Sequence, residues 1–282
     1  MEILRKQLEN SPVNSKEVLQ LRPVVADGGV QTPGWLAPRN LLRALAPVLV
    51  LVIWNVLSVS GIISQRLFPS PLTVLEAFWD LVVTGQLKSA LAASLARGVT
   101  GLVIGVTLGI AAGTLAGLTR IGDQLLDSSF QIVRAIPFIA VVPLFVLWFG
   151  IDEEPKIILI ALACIFPAYV NTYSGVRHVD PKLVESARLF GLRGIRLVTQ
   201  IVLPSALPPI LVGIRYSMST ALLALIVAEQ LNSQNGIGTI ILTANSALRI
   251  DIMIAGILIY AALGVLIDVG MRIVERRSMP WK

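Results

Sequence analysis

Apolar residues in this chain gather into long runs, separated by short segments rich in charge, proline and glycine. About 20 consecutive apolar residues carry a helix across the hydrocarbon core of a bilayer, and six stretches reach or approach that length. Residues 44–64 are free of charge, and the second stretch runs from near Ser89 to Thr119 with its uncharged part starting at Gly98. Residues 128–150 contain Arg134, residues 157–176 are clean, residues 206–228 contain Arg215, and residues 252–271 carry Asp268 near their end. The pattern predicts an all-α membrane protein built as a six-helix polytopic bundle.

The segments between the runs have their own signatures. Residues 1–40 are polar and broken by Pro12, Pro23, Pro33, Pro38 and a Gly28-Gly29 pair, which predicts a mostly disordered arm. No apolar core follows Arg5 and Lys6, so the arm does not read as a signal peptide. Within residues 65–88, Phe68-Pro69-Ser70-Pro71 leads into Leu72, Val74, Leu75, Phe78 and Trp79, a spacing that suits either an interfacial helix or an ordinary loop. In the second run Gly101, Gly105, Gly109, Gly113 and Gly117 recur at every fourth position, a stripe that lets another helix come close. Pro137, Pro143 and Pro167 each remove a backbone donor and predict kinks.

Composition narrows the class. Hydrophobic residues make up 55% of the 282 and charged residues 14%, against about 25% charged in soluble domains; mean hydropathy is +0.79. The net charge of +6 sits beside the apolar runs, where it sets orientation rather than binding nucleic acid. Arg5, Lys6, Lys16, Arg22, Arg39, Arg43, Arg120, the basic residues of 177–204, Arg272, Arg276, Arg277 and Lys282 fall on one side, with few on the other. The asymmetry predicts both termini in the cytoplasm. Cys164 and His178 are each the single residue of their type, which leaves no material for a disulfide or a zinc site.

Residues 180–204 form a basic island on the same side as the termini. Asp180 suits a helix N-cap, Pro181 its first turn, and Gly191 a left-handed closure. Leu183, Ala187 and Phe190 fall on one face of that helix and predict an apolar knob offered to water or to a partner. Glu185-Ser186-Ala187, then Gly191, Ile201 and Leu203-Pro204, resembles the EAA loop of permease subunits of bacterial ATP-binding-cassette importers; Ser186 stands where that family usually has alanine. Earlier in the chain, Arg134-Ala135-Ile136-Pro137 and the run from Pro143 to Glu153 are similar to the sulfonate, taurine, nitrate and bicarbonate group, most of all to aliphatic-sulfonate permeases.

The resemblance implies a MetI-like type I importer permease in the bacterial inner membrane. It implies a cytoplasmic coupling loop at 177–204, a first transmembrane helix at 41–64, a periplasmic segment at 65–88, and five further spans within a core domain at 89–282. The implied partners are two ATPase subunits, a second permease copy forming a homodimer, membrane lipid, and a periplasmic or lipid-anchored binding protein that delivers a small organic anion. ATP and magnesium would be used by the ATPase, with no cofactor on this chain, which has no G-x-x-x-x-G-K-S/T loop of its own.

Four polar residues in the apolar runs are candidates for the translocation path: Arg134, Asn171, Arg215 and Glu229. An arginine at mid-bilayer costs at least about 2.5 kcal/mol on insertion scales, so it must face a cavity or a partner. Arg134 is close enough to the predicted cytoplasmic end to snorkel. Arg215, deeper, either draws an anion or bonds a structural partner such as Asn171. Glu229 ends the fifth run, followed by a polar turn with Gly236 and Gly238; it is either a solvated carboxylate or, as the resemblance implies, part of an outer gate. An ion-driven transporter would need inverted repeats and embedded acids, and an intramembrane enzyme a nucleophile with its base; the sequence supports neither.

Overall fold

The computed structural model describes residues 38–60, 64, 66–127, 130, 132, 136–230 and 233–278, and every regular element among them is helical. The chain divides into two units, Met1–Leu51 and Val52–Lys282. Of the expected arm, residues 1–37 lie outside the described residues. Helix α1, Pro38–Val59, carries the boundary between the units. Leu45, Val48, Leu49, Val50 and Leu51 are all exposed apolar residues of the first unit.

In the second unit, the end of α1 is tied to the connection that follows. Trp54 Nε1 donates to the Pro69 carbonyl at 3.0 Å, and Ser58 Oγ to the Phe68 carbonyl at 2.9 Å. A helix does follow the Pro-Ser-Pro stretch: α2, Pro71–Val83, with Ser70 accepting from Thr73 N and Pro71 in the first turn. One face buries Val74, Ala77 and Leu81; the other exposes Leu72, Leu75 and Trp79.

Four helices among the described residues are long and apolar enough to cross a membrane: α3 (Gln86–Leu118), α5 (Glu153–Arg177), α7 (Leu207–Glu229) and α9 (Ile250–Ser278). They cover the second, fourth, fifth and sixth apolar runs. The third run departs from expectation. Residues 128–150 do not form one helix: Asp123–Asp127 is a π-helical turn, Pro137 is extended at φ −63° and ψ 119°, and α4 begins only at Phe138 and ends at Phe149. Proline disfavours the helical conformation in the residue before it and has no N–H to donate, which accounts for the break. The chain also forms helices that the runs did not announce. Pro181–Leu189 is α6, and Ile237–Ser246, which opens within the polar turn expected up to Gly238, is α8.

The core is organised by α3 against α5. The glycine stripe lies directly on α5: Gly101 on Ile160, Gly105 on Cys164 and the Ala161 carbonyl, Gly109 on Ala168, Gly113 on Thr172, Gly117 on Val176. A Cβ at Gly109 would sit 2.6 Å from the Ile165 carbonyl oxygen, so the backbones approach as closely as side chains at this seam would forbid. Helix α7 packs on α5 as well, and touches α3 where Leu225 lies against Gly98. Against α5, Ser217 Oγ donates to the Cys164 carbonyl at 2.8 Å while Cys164 Sγ donates to the Ser217 carbonyl at 3.4 Å.

Candidate functional site

At the end of the bundle where α3 and α5 begin and α7 ends, a set of buried charges joins most of the elements. Glu229, the last residue of α7, is fully buried. Its Oε1 accepts from Ser94 Oγ at 2.6 Å and Arg97 Nη1 at 2.9 Å, both on α3; its Oε2 accepts from Gly238 N at 2.8 Å and from the Tyr260 hydroxyl on α9 at 3.0 Å. Four donors saturate the carboxylate. Gly236 packs so tightly against that carboxylate that a Cβ has no room, and its φ of 151° is one that side-chain-bearing residues avoid.

Arg97 extends the network. Its Nε and Nη2 both engage Glu153 at the start of α5, the second contact at 3.0 Å, and its Nη1 also donates to the Asn235 carbonyl at 2.5 Å. Lys156, nearly inaccessible, reaches Glu153 Oε1 at 3.0 Å. Two cations thus face two carboxylates, so each buried charge has a partner of opposite sign, with Glu153 itself on the solvent side of the set. Glu229 therefore is not the solvated carboxylate of a polar turn. A cavity of about 480 Å³ adjoins the network and is lined by Gln86, Ser89, Asn235, Thr239, Thr243 and Arg249.

At the other end of the bundle, α5 runs into the loop at 180–204. Asp180 Oδ1 accepts from Lys182 N at 2.9 Å and Pro181 opens α6, as its residues predict. Gly191 adopts φ 83°, while Leu192 N bonds the Ala187 carbonyl and Gly191 N the Arg188 carbonyl, both at 3.0 Å. This pair of bonds is a Schellman closure. The knob needs correction: Ala187 is buried, because α6 packs that side on the returning segment at 194–202. Leu183 is partly exposed, and Leu189 and Phe190 are each 88% exposed. The apolar surface thus lies on Leu183, Leu189, Phe190 and Ile195. Glu185 and Ser186 are exposed beside it, and Ile201, Leu203 and Pro204 follow on the return to α7, the first two half-buried.

The path candidates are not brought together. Arg134 lies outside the described residues. Asn171 donates to the Pro167 carbonyl within its own helix at 2.8 Å and packs beside Gly213. Arg215 pairs with Asp268 of α9 and, at 3.8 Å, with Glu275; Asp268 also binds Arg272 at 2.8 Å. Its partner is a carboxylate on a distant helix rather than Asn171. Sequence reasoning placed Glu229 among the candidates but passed over Ser94, Arg97, Glu153, Lys156 and Tyr260. The available signal was two cations within the outer turns of apolar helices, Arg97 three turns into α3 and Lys156 in the first turn of α5, which topology explained as flanking charge.

Bilayer-length helices, charges paired within the bundle and an amphipathic loop closed at both ends define a multi-pass membrane protein. Residues 105–279 match the family described as the inner membrane component of binding-protein-dependent transport systems, and the chain belongs to that family. The putative aliphatic sulfonates transport permease protein SsuC of Escherichia coli (strain K12) is 45% identical over 83% of this chain and 89% of its own length. The protein of the same description from Bacillus subtilis (strain 168) is 38% identical over 96% of this chain and 95% of its own. The taurine transport system permease protein TauC of E. coli is 31% identical over 88% and 92%. An inward-facing structure of the MetNI methionine ABC transporter shares the fold, with a TM-score of 0.53 at 19% identity over 70% of this chain and 95% of that one.

Proposed function

We propose that this chain is the membrane-spanning subunit of an ATP-driven importer that takes a small organic anion across the cytoplasmic membrane, coupled to a separate ATPase through the loop at 180–204. Aliphatic sulfonates are the first candidates for cargo, supported by the relatives above; taurine, nitrate and bicarbonate are the alternatives. In this reading both termini and the loop are cytoplasmic, the Glu229 network is at the outer face, and two copies of the chain assemble with two ATPase subunits and a binding protein. ATP and magnesium belong to the ATPase.

The observation that carries the proposal is the loop itself. A short helix capped by Asp180 and closed at Gly191 holds Leu189 and Phe190 out in water, an arrangement that costs exposed apolar area unless a partner covers it. Nucleotide-driven closure of the ATPases would move this knob, and through it the helices on either side. Glu185→Lys reverses the charge beside the knob, and Gly191→Asp puts a side chain at a left-handed position. In the reconstituted complex, either change abolishes substrate-stimulated ATP hydrolysis while the permease still inserts. Undiminished stimulation in both would remove the loop from its role. Uptake of ethanesulfonate, taurine, nitrate and bicarbonate by the same proteoliposomes, supplied with the binding protein, decides the cargo.

A further inference from the structure

Helix α5 begins in the buried charge network and ends at the loop, and α7 makes the return journey. Glu153 is the first residue of α5 and Arg177 its last, with Asp180 capping α6 three residues later. Both ends are clamped to the α3 side of the bundle. At one end Arg97 embraces Glu153 with two nitrogens. At the other, Asp123 accepts from the Tyr173 hydroxyl at 2.5 Å and pairs with Arg177 at 3.4 Å. Between them the glycine seam keeps α3 and α5 in backbone contact. A rod so held transmits displacement along its length instead of absorbing it.

The charges are arranged so that Arg97 connects this rod to the segment at 233–238. One guanidinium holds Glu153 through Nε and Nη2 while its Nη1 holds Glu229 and the Asn235 carbonyl. Removal of the Glu153 contact would leave neither carboxylate bare: Glu229 keeps Ser94, Gly238 and Tyr260 as donors, and Glu153 keeps Lys156 on a side chain 54% exposed to solvent. The link between α3 and α5 at this end can therefore be strained or parted without an unpaired buried charge, which is the condition for a contact that changes during a cycle.

Resting on the reading of this chain as an importer permease, we propose that Arg97 is a positioning residue that couples the 233–238 segment, through Glu153 and α5, to the loop at 180–204. The guanidinium fork is the operative feature, because a lysine offers the charge but cannot span Glu153, Glu229 and Asn235 at once. On that reading the network lies on the outer side, where a binding protein would deliver its solute.

The test uses the whole complex in proteoliposomes, with ethanesulfonate and the cognate binding protein as probe. Two variants separate coupling from folding. Arg97→Lys keeps the positive charge. The double variant Glu153→Gln with Lys156→Met removes one charge of each sign, so the net charge of the network is unchanged and Arg97 still faces Glu229. In both, membrane level and ATP hydrolysis without binding protein stay near the parent's, while stimulation by the loaded binding protein falls about tenfold, within the usual range of coupling between sites. Stimulation retained at the parent's ratio in either variant overturns the proposal. So does a loss of activity that only tracks a loss of protein from the membrane, since that is what a static brace would give. A parent complex that shows no ATP-dependent uptake at all would instead refute the importer reading on which the proposal rests.

Discussion

Leu248 shows how much one backbone conformation decides. It sits at φ 56° after α8, where Arg249 N bonds the Ala244 carbonyl at 2.8 Å and Leu248 N the Asn245 carbonyl at 3.1 Å. This is the same closure that Gly191 makes, with a leucine in the glycine position. The left-handed region costs an L-residue roughly 1–2 kcal/mol, and the side chain, 79% exposed, recovers little by packing. Leu248→Gly is expected to raise the melting temperature of the purified permease, a gain of about 1 kcal/mol; an unchanged or lower Tm would mean that this leucine is held by lipid or a partner. Glu229 teaches the opposite lesson. Its neighbours in sequence are polar and suggest solvent, yet its donors come from residues as distant as Ser94 and Tyr260. Nothing local announces such a convergence, so the residue was legible as a candidate while its environment was not.

Elements were legible wherever one apolar run made one helix. The clean run at 157–176 became α5 with a turn or less added at each end, and Asp180, Pro181 and Gly191 fixed α6 by local chemistry alone. Runs containing a competing local preference misled: Pro137 divides the third, and α8 hides behind the glycines at 236 and 238. Ala187 misled for a different reason. Helical spacing puts it on the face of Leu183, but the segment after Gly191 folds back over that side. The glycine stripe of α3 supports a sharper expectation. Gly109→Val would drive a branched side chain into the Ile165 carbonyl and Ala168, an overpacking worth about 1–3 kcal/mol. Thermal stability should fall accordingly, whereas Gly270→Ala, inside α9 at a position with nothing within 4 Å, should hold or slightly raise it. Equal behaviour of the two would mean that α3 and α5 do not meet at this seam.

Across the whole molecule, the direction of insertion is the point from which the other assignments follow. Phe190→Cys, in a chain carrying Cys164→Ser, should react with a membrane-impermeant maleimide in inverted vesicles and stay unreactive in spheroplasts. Reaction from the outside would reverse the assignment of the loop to the cytoplasm. The opposite end carries a constraint of another kind. Between Glu229 and Gly238 the chain leaves a carboxylate and returns to it, touching it through the Gly236 backbone and again through Gly238 N. A closed circuit of that sort tolerates exchange of its exposed side chains, but one inserted or deleted residue would throw the returning amide out of register. Chimaeras grafting this stretch from relatives should therefore fail or succeed by matching its length, whatever solute the donor carries.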